Sequence, residues 1–289
     1  GLSIFPVHDL CELVLHLTDN KSLIPKYTAR VRAEPHLDSE SAFDDIRGQE
    51  SAKRALEIAT AGRHNIALFG PPGTGKTMLA RAATALLPEL SEDEAIEVTT
   101  IHSLAGTLSG TSILRPPFRS PHHTSSYASL IGGGSVPRPG EVTLAHRGVL
   151  FLDEFPEFHR DVVNALREPL EDKVVSVARA KSSAIFPANF MLIAALNPCP
   201  CGFWGSERCQ CMPHVVEKYR RKISGPIADR IDMWVTVPEI PPEMLSMKSK
   251  KTSGETKATR ERIENARTVQ RNRFTVTKTL TTNADMRAK

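Results

Sequence analysis

The clearest chemistry in the sequence lies in one glycine-rich run of eight residues: Gly70, Pro71, Pro72, Gly73, Thr74, Gly75, Lys76 and Thr77. The run matches G-x-x-x-x-G-K-[ST] and stands between a predicted strand and a predicted helix, the context that this phosphate-binding motif requires. Its glycines let backbone N–H groups point at phosphate oxygens, and the helix N-terminus adds partial positive charge. We therefore expect Lys76 to reach the β- and γ-phosphates of a nucleotide and Thr77 to hold Mg²⁺.

A second signal is a pair of adjacent carboxylates at the end of an apolar strand. The strand runs from Val149 to Asp153, so Asp153 and Glu154 stand at its carboxyl end, where ligands bind in open α/β sheets. We expect Asp153 to hold Mg²⁺ mostly through water, and Glu154 to orient and deprotonate the attacking water. A strand that ends in Asp-Glu is common, and the phosphate-binding motif is what makes this one informative.

Four of the five cysteines fall within thirteen residues, in the pattern C-x-C-x₇-C-x-C: Cys199, Cys201, Cys209 and Cys211. A secreted disulfide scaffold would spread its cysteines through a smaller chain, so the clustering favours metal. Four thiolates can close a tetrahedral Zn²⁺ site, and His214 is a weaker substitute ligand. The alternative is a surface loop that carries four reduced thiols.

Length and composition are those of an ordinary soluble protein, with 289 residues, 40% of them hydrophobic and 24% charged. The longest apolar run, Phe190 to Leu196, is far shorter than the ~20 residues that span a bilayer. The sequence shows no secretory signal, so we expect a cytoplasmic location and no membrane partner. The net charge of +4 is uneven, because residues 248–289 hold twelve basic and four acidic residues. This excess predicts either a solvated helix and linker or contact with a polyanion.

Strands and helices alternate around these motifs. We predict buried strands at 65–69, 149–153, 190–196 and 233–237, and helices at 1–18, 49–61, 76–87, after Ser91, 160–170, 215–222 and 258–272. Strands that are apolar throughout, placed between helices, imply a parallel sheet covered on both faces, which is an α/β fold. Residues 106–140 predict a long inserted loop or hairpin, and 174–187 a hairpin with Arg179 and Lys181 near its tip.

Together the two motifs resemble Walker A and Walker B of AAA+ ATPases. Residues 45–49 resemble the segment that lines the adenine pocket in such proteins, which assigns base contacts to Ile46 and Gly48. Three further runs, 115–124 (RPPFRSPHHT), 197–202 (NPCPCG) and 224–232 (SGPIADRID), are similar to the magnesium-chelatase-like family of AAA+ ATPases, in particular to its competence-protein branch. The resemblance implies an AAA+ P-loop core with a parallel sheet flanked by helices, and ATP and Mg²⁺ as cofactors.

The resemblance also implies roles for two polar residues. Asn197 stands where the family has its sensor 1 residue near the γ-phosphate. Arg230 stands where related ring ATPases carry an arginine finger for the neighbouring subunit, and the alternative is a surface ion pair with Asp229 or Asp232. The basic hairpin tip resembles a hairpin that related ring motors place in the central pore, and otherwise it is a solvated turn. The implied assembly is a hexameric ring of identical chains.

Family members begin with a further domain similar to ribosomal protein S5 and continue into a helical lid with a sensor 2 arginine. We therefore expect residues 1–41 to be the end of an N-terminal domain and a linker. Residues 42–247 are predicted to form the ATPase core, and 248–289 a linker and the start of the helical lid. A chain cut at both ends is expected to bind nucleotide and to hydrolyse it poorly.

The leading functional hypothesis is an ATP-driven ring motor on DNA, a branch-migration enzyme or helicase in recombination and natural transformation. In this hypothesis the loop with His122 and His123 faces substrate or a neighbouring subunit rather than a metal. The first alternative is a chelatase motor subunit that drives metal insertion into a tetrapyrrole. The second is a nucleotide-gated scaffold, which the intact Lys76, Asp153 and Glu154 disfavour.

Overall fold

A computed structural model describes residues 5, 7, 9–18, 42–108, 110, 112–134, 137–179, 182–223, 225–241, 243, 254–275 and 282–286. The chain divides into two compact units, residues 1–34 and 35–289. The first unit contains one described helix, α1 (Leu10–Leu17), whose N-cap Asp9 accepts a hydrogen bond from the backbone N–H of Glu12. Residues 19–41 of the predicted N-terminal segment and residues 248–253 of the predicted C-terminal linker lie outside the described residues.

The second unit is built on a five-stranded sheet. Its strands are β1 (Ile66–Phe69), β2 (Phe118–Arg119), β5 (Val149–Leu152), β8 (Met191–Leu196) and β9 (Met233–Thr236). The sheet order is β2-β5-β8-β1-β9, and each neighbouring pair runs in parallel. Because the carboxyl ends of parallel strands share one edge, the residues that follow β1, β5 and β8 meet there. The predicted α/β core is confirmed.

Helices cover the sheet, and two antiparallel ribbons extend from it. The helices are α2 (Glu50–Gly62), α3 (Lys76–Leu86), α4 (Glu92–Ala105), α5 (Tyr127–Ile131), α6 (Glu141–Leu144), α7 (Arg160–Ala165), α8 (Arg167–Asp172), α9 (Pro213–Arg220), α10 (Gly225–Ala228) and α11 (Glu255–Phe274). Short 3₁₀ turns lie at Phe155–Glu157 and Asn283–Asp285. The ribbons pair β3 (Gly132–Gly133) with β4 (Arg138–Pro139), and β6 (Val174–Arg179) with β7 (Ser182–Pro187). Within the described ranges, no helix is both long and apolar enough to cross a membrane.

Successive residues of each central strand enter two different hydrophobic clusters. In β5, Leu150 and Leu152 pack in one cluster with residues of α5 and α7, while Val149 and Phe151 pack in the other with residues of α2 and α3. Side chains of a strand alternate between the two faces of its sheet, so both faces are buried. This explains why the strands are apolar at every position. Ile263 of α11 belongs to the second cluster, so α11 packs against the core.

The structure corrects two predictions about secondary structure. Residues 106–140 are not wholly an insert, because they contain β2, the edge strand of the central sheet. The helix predicted at 160–170 is two helices, α7 and α8, which meet at Leu166. Pro169 has no N–H to donate to the carbonyl of Ala165, and its ring clashes with that carbonyl, so the helix breaks at this point.

Candidate active site

The glycine-rich run forms a loop between β1 and α3. Gly73 and Gly75 have φ angles of 77° and 86°, a left-handed backbone that glycine adopts without a steric penalty. Lys76 is the first residue of α3, and the backbone N–H of Gly70 donates to the carbonyl of Leu196 at the end of β8. The loop therefore joins the sheet edge to a helix N-terminus, as an anion-binding loop must.

The ammonium of Lys76 is buried inside this loop. Its Nζ atom donates to the carbonyl oxygens of Gly70 and Pro71, both at 2.7 Å, and to Oδ1 of Asn197 at 3.1 Å. Burial lowers the pKa of Lys76, and the carboxylates of Asp153 and Glu154 partly offset that effect. The predicted phosphate-binding lysine and the predicted sensor residue are thus in direct contact.

The carboxylate of Asp153 faces the glycine-rich loop, whereas Oε2 of Glu154 lies 3.3 Å from Nδ1 of His123. Oγ1 of Thr77 donates to Oδ2 of Asp153 at 3.1 Å, so the two oxygens predicted to hold Mg²⁺ are adjacent. The backbone N–H of Glu154 donates to Oδ1 of Asp153 at 2.9 Å. Glu154 itself has a left-handed backbone with φ of 50°, which is strained for a residue with a side chain and often marks functional sites.

The segment before α2 also contacts the glycine-rich loop. Gln49 is 8% exposed, and its Nε2 donates to the carbonyl of Pro238 at 2.7 Å and to that of Thr74 at 3.4 Å. Gln49 was not selected as a site residue from the sequence, although it follows the predicted contacts Ile46 and Gly48. Its only sequence signal is its place at the end of residues 45–49, the run that resembles an adenine-pocket segment. Ile46 lines a cavity of about 840 Å³ together with Asp45 and Met78.

Arg230 lies at the opposite edge of the sheet. Its backbone carbonyl accepts a hydrogen bond from Asn65, which immediately precedes β1. The four residues of β1 span about 13 Å, so this edge is far from the loop that follows β1 in the same chain. The Arg230 guanidinium donates to the carbonyl of Pro226 at 2.7 Å and forms an ion pair with Glu171. The ion-pair partner of Arg230 is thus Glu171, whereas the alternative drawn from the sequence was Asp229 or Asp232.

The four clustered cysteines converge after β8. Sulfur separations are 3.3 Å for Cys199 and Cys201, 3.9 Å for Cys199 and Cys209, and 3.7 Å for Cys201 and Cys209. All four sulfur atoms, including that of Cys211, lie within 4.8 Å of one another. A Zn–S bond of about 2.3 Å in a tetrahedral site places sulfur atoms about 3.8 Å apart. The cluster could therefore hold a metal ion.

The thiol of Cys201 has a pKa below the usual value for a cysteine. Backbone N–H groups of Phe203 and Gln210 point at its sulfur and lower the pKa of Cys201 to about 6. The thiolate is the form that ligates metals.

The central sheet, with its glycine-rich loop between β1 and α3, is that of an AAA+ P-loop core. The chain belongs to the magnesium-chelatase family, because the family model described as magnesium chelatase, subunit ChlI, matches residues 42–245. Among its relatives are an uncharacterized protein YifB from Escherichia coli and competence protein ComM from Haemophilus influenzae. YifB is 48% identical over 205 residues, which are 71% of this chain and 40% of that protein. ComM is 46% identical over 231 residues, which are 79% of this chain and 45% of that protein.

A magnesium-chelatase 67 kDa subunit from Chlorobaculum parvum is more distant, at 27% identity over 161 residues, covering 54% of this chain and 23% of that protein. The chain spans about half the length of the curated relatives it matches.

Proposed function

We propose that this chain hydrolyses ATP as the core of a ring-forming motor. One observation carries the proposal: at the carboxyl edge of the sheet, Lys76 contacts Asn197 and Thr77 contacts Asp153, although the partners are 121 and 76 residues apart in sequence. A cation, a hydroxyl, a carboxylate and an amide at a helix N-terminus are the groups that phosphoryl transfer requires.

Each of these residues has a role that its position supports. The ammonium of Lys76 would exchange the carbonyls of Gly70 and Pro71 for phosphate oxygens, and Asn197 would hold it in place. Mg²⁺, when bound, neutralises negative charge on the β- and γ-phosphates. Thr77 and Asp153 offer oxygen ligands of the kind that this ion prefers. Glu154 would accept the proton of the attacking water.

The place of Arg230 supports assembly into a ring. The residue lies at the amino edge of the sheet, so in its own chain it is remote from the glycine-rich loop. A neighbouring subunit that docks its loop against this edge would receive the guanidinium at its γ-phosphate, where it stabilises developing charge. We propose a homo-oligomeric ring, with six subunits as the arrangement that the family resemblance implies.

The proposed substrate of the motor is DNA, and the activity is branch migration or unwinding in recombination and natural transformation. Support comes from the 46% identity to a competence protein and from the excess of basic residues after Lys248. The test is the rate of ATP hydrolysis with and without a four-way DNA junction. We expect the junction to stimulate hydrolysis by the wild type and not by a Glu154→Gln variant. A rate indifferent to DNA would contradict this substrate.

A second candidate is a motor subunit for insertion of a metal into a tetrapyrrole. The family model that carries the chelatase name and the relative from Chlorobaculum parvum favour it. This candidate predicts that chelatase partner subunits, and not DNA, stimulate hydrolysis. The same assay therefore distinguishes the two.

We also propose that the cysteine cluster binds one structural Zn²⁺. The sulfur separations match a tetrahedral site, and four protein ligands leave no open position for catalysis. Few apolar side chains lie between Cys199 and Cys211, so this segment gains little folding free energy by burial. Metal binding would supply that free energy instead. We propose a cytoplasmic location, because the five cysteines form no disulfide and a reducing compartment keeps clustered thiols available to metal.

A further inference from the structure

The side-chain amide of Asn65 joins two segments at the amino edge of the sheet. Its Oδ1 atom accepts a hydrogen bond from the backbone N–H of Leu192 in β8 at 2.9 Å. Its Nδ2 atom donates to the backbone carbonyl of Arg230 at 2.9 Å. An amide offers both an acceptor and a donor, whereas the ionised side chain of Asp, which has the same shape, offers acceptors alone. The Asn65 side chain therefore ties the backbone of Arg230 to β8.

The backbone of Asn65 holds the same segment at two further points. Its N–H donates to Oδ2 of Asp232 at 2.9 Å, and its carbonyl accepts from the N–H of Met233 at 3.1 Å. The sheet explains this position, because Asn65 immediately precedes β1, and β1 lies between β8 and β9. Residues 230–233, which lead into β9, are thus attached to one residue by three hydrogen bonds.

The guanidinium of Arg230 is held less firmly than its backbone. The side chain is 30% exposed, and its ion-pair partner Glu171 is 41% exposed. The Nε atom of Arg230 is buried and has no hydrogen-bond partner among the described residues. Ion pairs between partly exposed side chains contribute little to stability, so the guanidinium can leave Glu171 for a stronger partner. Arg230 therefore combines a fixed backbone with a side chain that can move.

We propose that Asn65 is a positioning residue, which fixes the backbone of Arg230 so that its guanidinium reaches the nucleotide of the neighbouring subunit. The inference rests on the proposed role of Arg230 between subunits. A misplacement of about 1 Å at a reacting centre can lower the rate by about a hundredfold. Loss of the amide donor of Asn65 therefore slows hydrolysis at the neighbour's site and leaves ATP binding in its own chain unchanged.

The first test measures ATP hydrolysis and ATP binding by the wild type, Asn65→Asp and Asn65→Ala. Asn65→Asp keeps the acceptor for the N–H of Leu192 and loses the donor to Arg230, whereas Asn65→Ala loses both. We expect each variant to lower kcat by about tenfold or more, with the Kd for ATP unchanged. The matched control is Asn164→Asp, which adds the same charge at an exposed position of α7 and should keep the wild-type kcat. An unchanged kcat in Asn65→Asp, or a raised Kd for ATP, overturns the inference.

The second test uses mixed rings, which show in which chain the defect acts. Asn65→Asp affects the chain that supplies Arg230, so mixing it with Glu154→Gln should recover activity. Mixing it with Arg230→Ala should give no more than the residual rate of Asn65→Asp, because neither chain then supplies a correctly placed guanidinium. The reverse pattern would show that Asn65 acts on the nucleotide of its own chain. That pattern, or recovery in both mixtures or in neither, overturns the inference.

A reference mixture of Arg230→Ala with Glu154→Gln separates the two levels of the argument. If mixed rings form and this mixture stays inactive, Arg230 does not act between subunits, and the proposed assembly of the site fails together with the inference. If this mixture recovers activity and Asn65→Asp also restores Arg230→Ala, only the role of Asn65 fails.

Discussion

Gly202, in the loop that carries the four cysteines, packs directly against Pro72 of the phosphate-binding loop. A Cβ atom built on Gly202 would lie 2.5 Å from Cδ of Pro72, closer than any side chain tolerates, and the φ angle of Gly202 is 86°. Glycine alone satisfies both conditions. The cysteine loop is therefore a physical support of the phosphate-binding loop.

This contact predicts that Gly202→Ala weakens ATP binding. The added methyl group must push Pro72 aside and so misplace the backbone N–H groups that bind phosphate. We expect the Kd for ATP to rise about threefold or more, the value of one lost hydrogen bond. Gly205→Ala is the matched control, because Gly205 has a φ angle of 94° but nothing within 4 Å of a built Cβ atom. Calorimetric titration of ATP into both variants measures the two Kd values. Equal increases in Kd would mean that the contact with Pro72 does not affect ATP binding.

The cysteine cluster predicts one zinc ion per chain. Elemental analysis of protein purified without chelator should give a ratio near one, and removal of the metal should lower the midpoint of thermal unfolding. Cys209→Ser should lower the zinc content, whereas Cys11→Ser, which alters an exposed cysteine outside the cluster, should not. A zinc content far below one per chain, with all four thiols freely reactive, would contradict the zinc site and favour a loop of reduced thiols.

The position of Arg230 predicts complementation between two inactive variants. Arg230→Ala should leave ATP binding intact and cut hydrolysis by about a thousandfold or more, the usual value of an arginine finger. Glu154→Gln should also bind ATP without turnover. When the two variants are mixed, an interface with an intact Glu154 on one side and an intact Arg230 on the other should recover activity.

The control for this experiment is Arg221→Ala, which removes an exposed arginine paired with Glu217. It should hydrolyse ATP at the wild-type rate. Mixed rings that form without regaining any activity would show that Arg230 does not act between subunits.

A buried carboxylate links the last helix to the core and predicts a pH dependence. Arg262 of α11 donates to both carboxylate oxygens of Glu57 in α2, at 2.6 and 3.1 Å. These hydrogen bonds hold the pKa of Glu57 below its usual value of 4.5. Because the pKa of the folded state is the lower one, the stabilisation is complete above pH 4.5 and is lost as the pH falls through the folded value.

Glu57→Gln should therefore lower the free energy of unfolding at neutral pH by about 1 kcal/mol, and the difference from the wild type should shrink in acid. Unfolding midpoints measured over a pH series test this. Glu217→Gln, which alters an exposed carboxylate within one helix, should show no such trend. A difference that is constant with pH would mean that the charge of Glu57 contributes nothing.

Local patterns in the sequence were sufficient to predict several elements around the candidate site. Residues 70–77 lie between β1 and the first turn of α3 as predicted, and the helix predicted after Ser91 begins there as α4, with a capping box of Ser91 and Glu94. The hairpin at 174–187 is confirmed as β6 and β7, although its tip at Ala180 and Lys181 lies outside the described residues. Each of these features depends on residues close together in the chain, where spacing alone carries the information.

What the sequence could not predict depends on contacts between distant segments. Strand β2 has only two residues, too few for a periodic pattern, so its place at the sheet edge is fixed by pairing with β5. Without β2 in the sheet, nothing places His123 beside Glu154. The support of Pro72 by Gly202 likewise joins positions that are 130 residues apart. These tertiary contacts are set by packing and register rather than by local preference.

The central claim is that residues 70–77 bind the phosphates of ATP, and the most direct test is calorimetric titration of ATP and Mg²⁺ into the wild type and Lys76→Ala. Charge-assisted hydrogen bonds to phosphate are worth about 1.5–3 kcal/mol each. We predict that ATP binds the wild type at one site and that Lys76→Ala raises the Kd by about tenfold or more. An unchanged Kd in Lys76→Ala would contradict the assignment of the loop and the function built on it.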